Sequence, residues 1–141
     1  MESKNHVRVD EELLEFDDDL RCYNDSPFSG IGYENYPNGN LKTETLYKDG
    51  FQHGLSREWY PTGEIKSEFF WKKGSRYSKR QEWHRNSNIK SIANYEWGIE
   101  LDNKEWDENG NLIKSEIIDP NSPNYFLLLK YREINHENKN D

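Results

Sequence analysis

The sequence contains a single cysteine, Cys22, among its 141 residues. An intrachain disulfide and a cluster of thiolate metal ligands both need more than one cysteine, so this chain forms neither. No stretch approaches the roughly 18 apolar residues of a membrane-spanning helix, and no apolar core follows the charges of the amino terminus. We therefore expect a protein that stays in the cytoplasm.

Apolar residues are also scarce. Only 32% of the residues are hydrophobic, 33% are charged and the mean hydropathy is -1.23, values that alone are typical of partly disordered chains. The aromatic content indicates a folded protein, because the chain carries five Trp, nine Tyr and six Phe. Each ring buries a large area, so periodically placed rings can hold a thin repeat array together.

Negative charge is concentrated at the amino-terminal end. Residues 1–25 carry nine acidic and three basic side chains, a net charge of -6, whereas the other residues carry only -2. Such a segment repels nucleic acid and anionic lipid and attracts a basic partner. A purely solubilising tail is the alternative interpretation. The acidic candidates for partner contacts are Glu11, Glu12, Glu15, Asp17, Asp18 and Asp19.

A segment of the chain recurs with a period of 24 residues. Residues 58–68 read EWYPTGEIKSE, residues 82–92 read EWHRNSNIKSI, and related copies occupy 34–44 and 105–116. A fixed period of this kind means that one structural unit is stacked on itself. The fold should therefore follow from the unit.

The centre of each copy predicts a β-hairpin. Pro61 presets its own φ for a turn, and Gly63 accepts the left-handed conformation that closes a three-residue loop. Pairing around this loop places Trp59 opposite Ile65 and, one step further, a glutamate opposite a lysine. The charged pairs are then Glu58 with Lys66, Glu34 with Lys42, and Glu82 with Lys90.

A second turn follows half a period later, at residues 48–50, 72–74 and 96–98. Each repeat then contributes two strands, and alternation puts aromatic and aliphatic residues on one face and the glutamate and lysine rows on the other. The predicted fold is mainly β, a single-layer antiparallel meander of hairpin repeats. In the last copy the spacing of the Trp residues falls to 23, which predicts an extra residue or a bulge in the loop around Asn109 and Gly110.

Both ends of the chain can cover the apolar face. Ser122 can cap a C-terminal helix with Pro123 at its first position. Four apolar residues recur there at helical spacing: Leu127, Leu128, Tyr131 and Ile134. Near the amino terminus, apolar residues alternate with acids between residues 13 and 20, which suits either a short helix or an edge strand. We divide the chain into an acidic segment (1–24), hairpin repeats (25–118) and a C-terminal helix and tail (119–141).

The repeat unit resembles the bacterial MORN-variant repeat. The lead-in at residues 27–30 (PFSG) and the connector at residues 50–54 (GFQHG) are similar to the segments that usually flank such repeats, although Ser87 stands where the other turns have glycine. Over roughly residues 25–118 the chain is similar to members of the YwqK-type antitoxin family. The resemblance implies an array of antiparallel hairpins in a protein that neutralises a toxin.

The histidines and acidic residues offer no convergent catalytic group. The residues His6 and His136 are near the chain ends, His53 belongs to a turn, and His84 takes a position that tyrosine fills in sister repeats. The run of three aspartates lacks the alternating spacing of a calcium loop. We therefore expect no enzymatic activity, no cofactor and no metal site.

Aromatic side chains are the remaining candidates for binding. Trp97 takes a turn position that Asp49 and Lys73 fill in the other repeats, so it is a candidate partner contact unless it packs under the C-terminal helix. The other aromatic candidates are Tyr33, Tyr36 and Tyr60.

The leading functional hypothesis is an immunity protein or antitoxin that covers the active site of a partner toxin. A basic nuclease-type effector would suit the acidic segment, whose carboxylates would stand in for phosphates. The alternative is a non-catalytic adaptor scaffold, and open edge strands would also allow a homo-oligomer. Direct binding to nucleic acid or to a membrane is disfavoured by the net negative charge.

Overall fold

The structure, a computed structural model, describes residues 6–139. Residues 1–5, 140 and 141 of the expected acidic segment and tail lie outside the described residues. Strands form one large sheet in the order β1-β5-β6-β7-β8-β10-β11-β12-β13, with β9 paired to β8. Its strands are β1 (Arg8–Asp10), β5 (Gly30–Asn35), β6 (Leu41–Lys48), β7 (Phe51–Trp59), β8 (Ile65–Lys72), β9 (Ser75–Arg76), β10 (Ser78–Trp83), β11 (Ile89–Glu96), β12 (Ile99–Trp106) and β13 (Leu112–Ile117). All pairs from β5 onward are antiparallel, which confirms the predicted meander.

The amino-terminal segment contains both a helical turn and strands. Strand β1 adds to the large sheet parallel to β5, and a short 3-10 helix (Glu11–Leu13) follows it. A separate three-stranded sheet then contains β2 (Glu15–Asp17), β3 (Leu20–Tyr23) and β4 (Ser26–Pro27). This segment covers the first repeat through a buried apolar cluster. The cluster contains Val9, Leu14, Phe28 and Tyr47.

The hairpin loops have the geometry that their residues predict. The Gly63 N–H donates to the Tyr60 carbonyl oxygen over 2.9 Å, and Gly63 has a left-handed φ of 106°. Trp59 lies opposite Ile65 as predicted. Ser87 has a φ of 71° at the corresponding loop position, so a serine here adopts a conformation that favours glycine.

The register one step beyond each loop differs from the prediction. A bulge between Glu58 and Trp59 places Glu58 opposite Ser67, so the predicted position opposite Lys66 is wrong by one residue. The Lys66 ammonium group still reaches the Glu58 carboxylate at 3.3 Å. The same shift puts the other glutamates opposite hydroxyl residues, in the pairs Glu34 with Thr43 and Glu82 with Ser91.

This shift changes the composition of the two sheet faces. The front face is defined by Thr45, Tyr47, Ser67, Ser91 and Tyr95, which are all buried. The repeated glutamates share this face, because Ser91 donates a 2.6 Å hydrogen bond to Glu82 and Thr43 donates a 3.1 Å bond to Glu34. The prediction that one face is apolar and the other carries the glutamate row is therefore wrong. A one-residue slip moves a side chain to the other face of a sheet.

The last repeat has one residue fewer between its Trp residues. This difference does not lie in the hairpin loop, where it was predicted. The loop around Asn109 and Gly110 has the same hydrogen bonds as the other hairpin loops, and Trp106 lies opposite Leu112. The pairing of β11 with β12 instead skips a single residue, between the pairs Asn94–Asp102 and Tyr95–Glu100. In the first repeat the corresponding β6–β7 pairing has a larger irregularity.

The C-terminal helix α1 (Pro123–Lys139) begins as predicted, because the Tyr125 N–H donates to the Ser122 hydroxyl group over 3.2 Å. Leu128 is 1% exposed, and Tyr131 packs on the turn between β11 and β12. Leu127 and Ile134 are 41% and 51% exposed, so only part of the predicted apolar stripe is covered.

Candidate partner-binding surface

The hairpin of β2 and β3 presents the acidic residues of the amino-terminal segment to solvent. We call residues 12–19 the acidic hairpin. At its tip, Asp18 has a left-handed φ of 54°. Its five exposed carboxylates make no salt bridge with any basic group in the described part of the chain. They belong to Glu12, Glu15, Asp17, Asp18 and Asp19.

An aromatic ring lies among these carboxylates. Phe16 is 68% exposed, and the Arg21 guanidinium carbon lies 3.9 Å from the centroid of its ring. Because cation and ring attract each other, the ring is held in position at the surface. In the sequence, Phe16 is one of the apolar residues that alternate with acids between residues 13 and 20, and it is not among the predicted partner contacts. The pairing of buried Cys22 with Glu15, the residue next to Phe16, is known only from the structure.

A shallow groove of about 290 Å³ borders the acidic hairpin. Its lining includes Phe16 and Asp19 from the amino-terminal segment, Phe51 from β7 and Lys73 from the turn after β8. The groove is open to solvent, and its mixture of rings and charges suits a protein side chain better than a fully enclosed small molecule.

The side chain of Glu11, the first acidic candidate, is only 14% exposed. Its carboxylate accepts a 2.9 Å hydrogen bond from the Tyr47 hydroxyl group and lies 3.8 Å from Arg21. Burial raises the pKa of the Glu11 carboxyl group, and the hydrogen bond from Tyr47 opposes that rise. Glu11 therefore anchors the 3-10 helix to the sheet, and we assign it no partner contact.

Tyr36 and Tyr60 connect neighbouring hairpins. The Tyr36 hydroxyl group donates to the Trp59 carbonyl oxygen and the Tyr60 hydroxyl group to that of Trp83, each over 2.6 Å. His84 continues the series, because its Nε2 lies 2.8 Å from the carbonyl oxygen of Trp106. These side chains form a ladder between repeats, so their polar atoms are already engaged.

The remaining aromatic candidates lie apart from the acidic hairpin. Trp97 has a left-handed φ of 47° and stacks on Tyr131 with a centroid distance of 5.7 Å. Tyr77 meets its ring edge-on at 5.9 Å. Tyr33 lies on β5 with the Arg8 guanidinium group 5.2 Å from its ring centroid. The candidates therefore occupy several places, and only the exposed acids cluster.

Other kinds of site find no support in the described part of the chain. Residues 6–139 contain no group of three or more His, Cys, Asp or Glu side chains that could hold a metal ion. The helix in that range is too short or too polar to cross a membrane.

Comparisons with known proteins agree with the repeat architecture. The MORN repeat variant family matches residues 29–49 and 52–73. Immunity protein YwqK of Bacillus subtilis (strain 168) is 58% identical over 125 residues, which cover 89% of this chain and 79% of that relative. No solved structure matches the chain.

Proposed function

The chain belongs to the YwqK family of MORN-variant repeat proteins, and on that premise we propose that it is an immunity protein that binds a protein toxin and covers the toxin's active site. The acidic hairpin is the observation that carries the proposal. Its five exposed carboxylates have no intramolecular salt-bridge partner among the described residues, so they are available to a basic surface.

The charge pattern suits a toxin with a basic active site, such as a nuclease. Exposed like charges on one hairpin raise the rate of encounter with a basic partner and repel nucleic acid. In the complex, the carboxylates would take the places of substrate phosphates, and Phe16 would supply the desolvated contact at the centre. Inhibition of this kind needs no catalytic group and would act in the cytoplasm, where the nucleic acid is.

Co-expression with the product of the adjacent gene tests the proposal. We expect the protein to copurify with that product and to protect cells from it. The double variant Asp17→Asn/Asp19→Asn removes two charges from the acidic hairpin, and we expect roughly tenfold slower association at low salt.

A matched variant controls for net charge. Glu108→Gln/Glu133→Gln also removes two negative charges, but from exposed positions in another loop and on the helix. It should leave the association rate close to that of the unmodified protein. The absence of a bound toxin and of protection would refute the immunity function. Equal effects of the two double variants would refute the acidic hairpin as the binding surface.

A second candidate function is a non-catalytic adaptor. The open, apolar edge of the sheet at β13 favours it, because such an edge can hold a second protein without inhibiting it. An adaptor would copurify with a partner but would give no protection on co-expression.

A further inference from the structure

The last strand of the large sheet is an exposed apolar edge. β13 pairs only with β12 within the described residues, and all of its residues are exposed. Leu112, Ile113 and Ile117 are 55%, 65% and 82% exposed. Natural proteins rarely leave such an edge free, because it is a template for another strand.

The backbone of β13 also presents unused hydrogen-bonding groups. The Ile118 N–H donates to the Leu101 carbonyl oxygen of β12 over 2.8 Å, so the backbone of residue 118 points inward. Along an antiparallel strand, the backbone N–H and C=O groups of successive residues point alternately to the two sides of the strand. The N–H and C=O groups of Ser115 and Ile117 therefore point away from β12, toward the open side.

The side chains of β13 are complementary to those of a second, antiparallel β13 strand. We propose that β13 pairs antiparallel with β13 of a second copy of this chain, around a two-fold axis at Ser115. In that register Lys114 lies opposite Glu116 of the second copy, and Ile113 lies opposite Ile117 of the second copy. Ser115 meets itself as a hydrogen-bonded pair. Apart from the central serine pair, each of these cross-strand pairs is thus either opposite in charge or apolar.

The neighbouring two-fold registers are excluded by charge. An axis at Lys114 places two lysines opposite each other, and an axis at Glu116 places two glutamates opposite each other. Both side chains have room for a new partner, because Lys114 is 43% and Glu116 is 61% exposed. Lys114 already lies 3.4 Å from Glu105, so it would bridge carboxylates of both copies.

A two-fold pair fits the sheet better than head-to-tail stacking. The strand at the opposite edge, β1, has only three residues and pairs in parallel, so it offers little length to β13. Head-to-tail contacts also leave free ends and build open filaments, whereas a two-fold pair of β13 strands closes the assembly.

Light scattering with size-exclusion chromatography tests the pairing. We expect the unmodified protein at high micromolar concentration to have twice the mass of one chain. Lys114→Glu and Glu116→Lys each place like charges across the axis, and each should weaken self-association by roughly tenfold or more. An equimolar mixture of the two variants restores opposite charges at both positions, so it should form a mixed dimer.

The loss of self-association in both single variants depends on the proposed register, because only an axis at Ser115 places residue 114 opposite residue 116 of the second copy. Ile117→Lys should also give a monomer, and Phe126→Lys provides a matched control. Phe126 is 60% exposed and belongs to the helix, not to β13, so this change should leave the dimer intact. A monomeric unmodified protein, or a dimer that resists all β13 variants, would overturn the proposal.

The pairing is independent of the proposed immunity function. A monomeric Ile117→Lys variant that still protects against the toxin leaves both proposals standing, since the acidic hairpin is in a different sheet. If the unmodified protein is a monomer and Ile117→Lys abolishes toxin binding, β13 is an edge for the toxin and the second copy is rejected as its occupant.

Discussion

The hydroxyl group of Tyr60 donates a 2.6 Å hydrogen bond to the carbonyl oxygen of Trp83 in the next hairpin. The strands at this junction, β8 and β10, are paired over only two residue positions. The bond therefore stabilises a part of the sheet where the backbone ladder is short. Tyr36 and Trp59 make the same contact one repeat earlier.

Removal of this hydroxyl group should weaken the junction. Tyr60→Phe leaves the Trp83 carbonyl oxygen without its partner, and we expect the free energy of unfolding to fall by about 1 kcal/mol. Urea denaturation measures the change. Tyr33→Phe is the control, because the Tyr33 hydroxyl group has no hydrogen bond within residues 6–139. Equal effects of the two variants would contradict the ladder between repeats.

The third hairpin loop carries a serine in a conformation that favours glycine. Ser87→Gly should raise the free energy of unfolding by about 1 kcal/mol, because Ser87 has a φ of 71°. Gly63→Ser is the reverse change at the corresponding loop, where nothing lies within 4 Å of an added Cβ. It should destabilise by a similar amount. Chemical denaturation measures both changes. If the two variants change the free energy of unfolding in the same direction, this account is wrong.

The stack of Trp97 on Tyr131 should hold the C-terminal helix on the sheet. Trp97→Asn keeps a residue that tolerates the left-handed turn, so the hairpin should remain while the helix detaches. We expect hydrogen exchange in residues 123–136 to become roughly tenfold faster. Lys73→Asn changes the same turn position in the previous repeat and should leave exchange in the helix unchanged. If the helix of Trp97→Asn keeps its protection from hydrogen exchange, the stack is not needed to hold the helix on the sheet.

The ion pair between helix and sheet predicts a pH dependence. Two hydrogen bonds from Arg132 hold the pKa of the Glu96 carboxyl group below its ordinary value of 4.5. A pKa lowered by folding adds stability above 4.5, and this stability is lost as the pH falls through the folded pKa. The melting-temperature difference between the unmodified protein and Glu96→Gln should therefore stay constant above pH 4.5 and shrink as the pH falls below it.

Glu133→Gln is the control for this experiment, because Glu133 is exposed on the helix and makes no ion pair in the described part of the chain. Its melting temperature should follow that of the unmodified protein across the range. If the melting-temperature difference between the unmodified protein and Glu96→Gln does not change with pH, the ion pair does not stabilise the fold.

Sequence reasoning predicted the local structure of the hairpins. Pro61 and the left-handed Gly63 define their loop within a few residues, and this determined the pairing of Trp59 with Ile65. The pairing of Glu58 with Lys66 failed because a bulge follows Glu58, as it does at the same position in the other three hairpins, and the turn residues do not specify it. The exposed acids were predictable from charge. The burial of Glu11 was not, because its partner Tyr47 lies 36 residues away.

By itself, the sequence determined the repeat, its two strands per unit and the capped C-terminal helix, because each depends on spacing and turn chemistry within one unit. Only the tertiary structure decided which face the glutamates occupy and which side chains remain free. The face of the glutamates depends on a bulge that recurs in the four hairpins and that the turn residues do not specify. Which side chains remain free depends on contacts between units, such as the hydrogen bond of Tyr60 and the stack of Trp97 on Tyr131. A periodic pattern cannot specify contacts between units, since side chains of the same type occupy different environments at the centre and at the ends of the array.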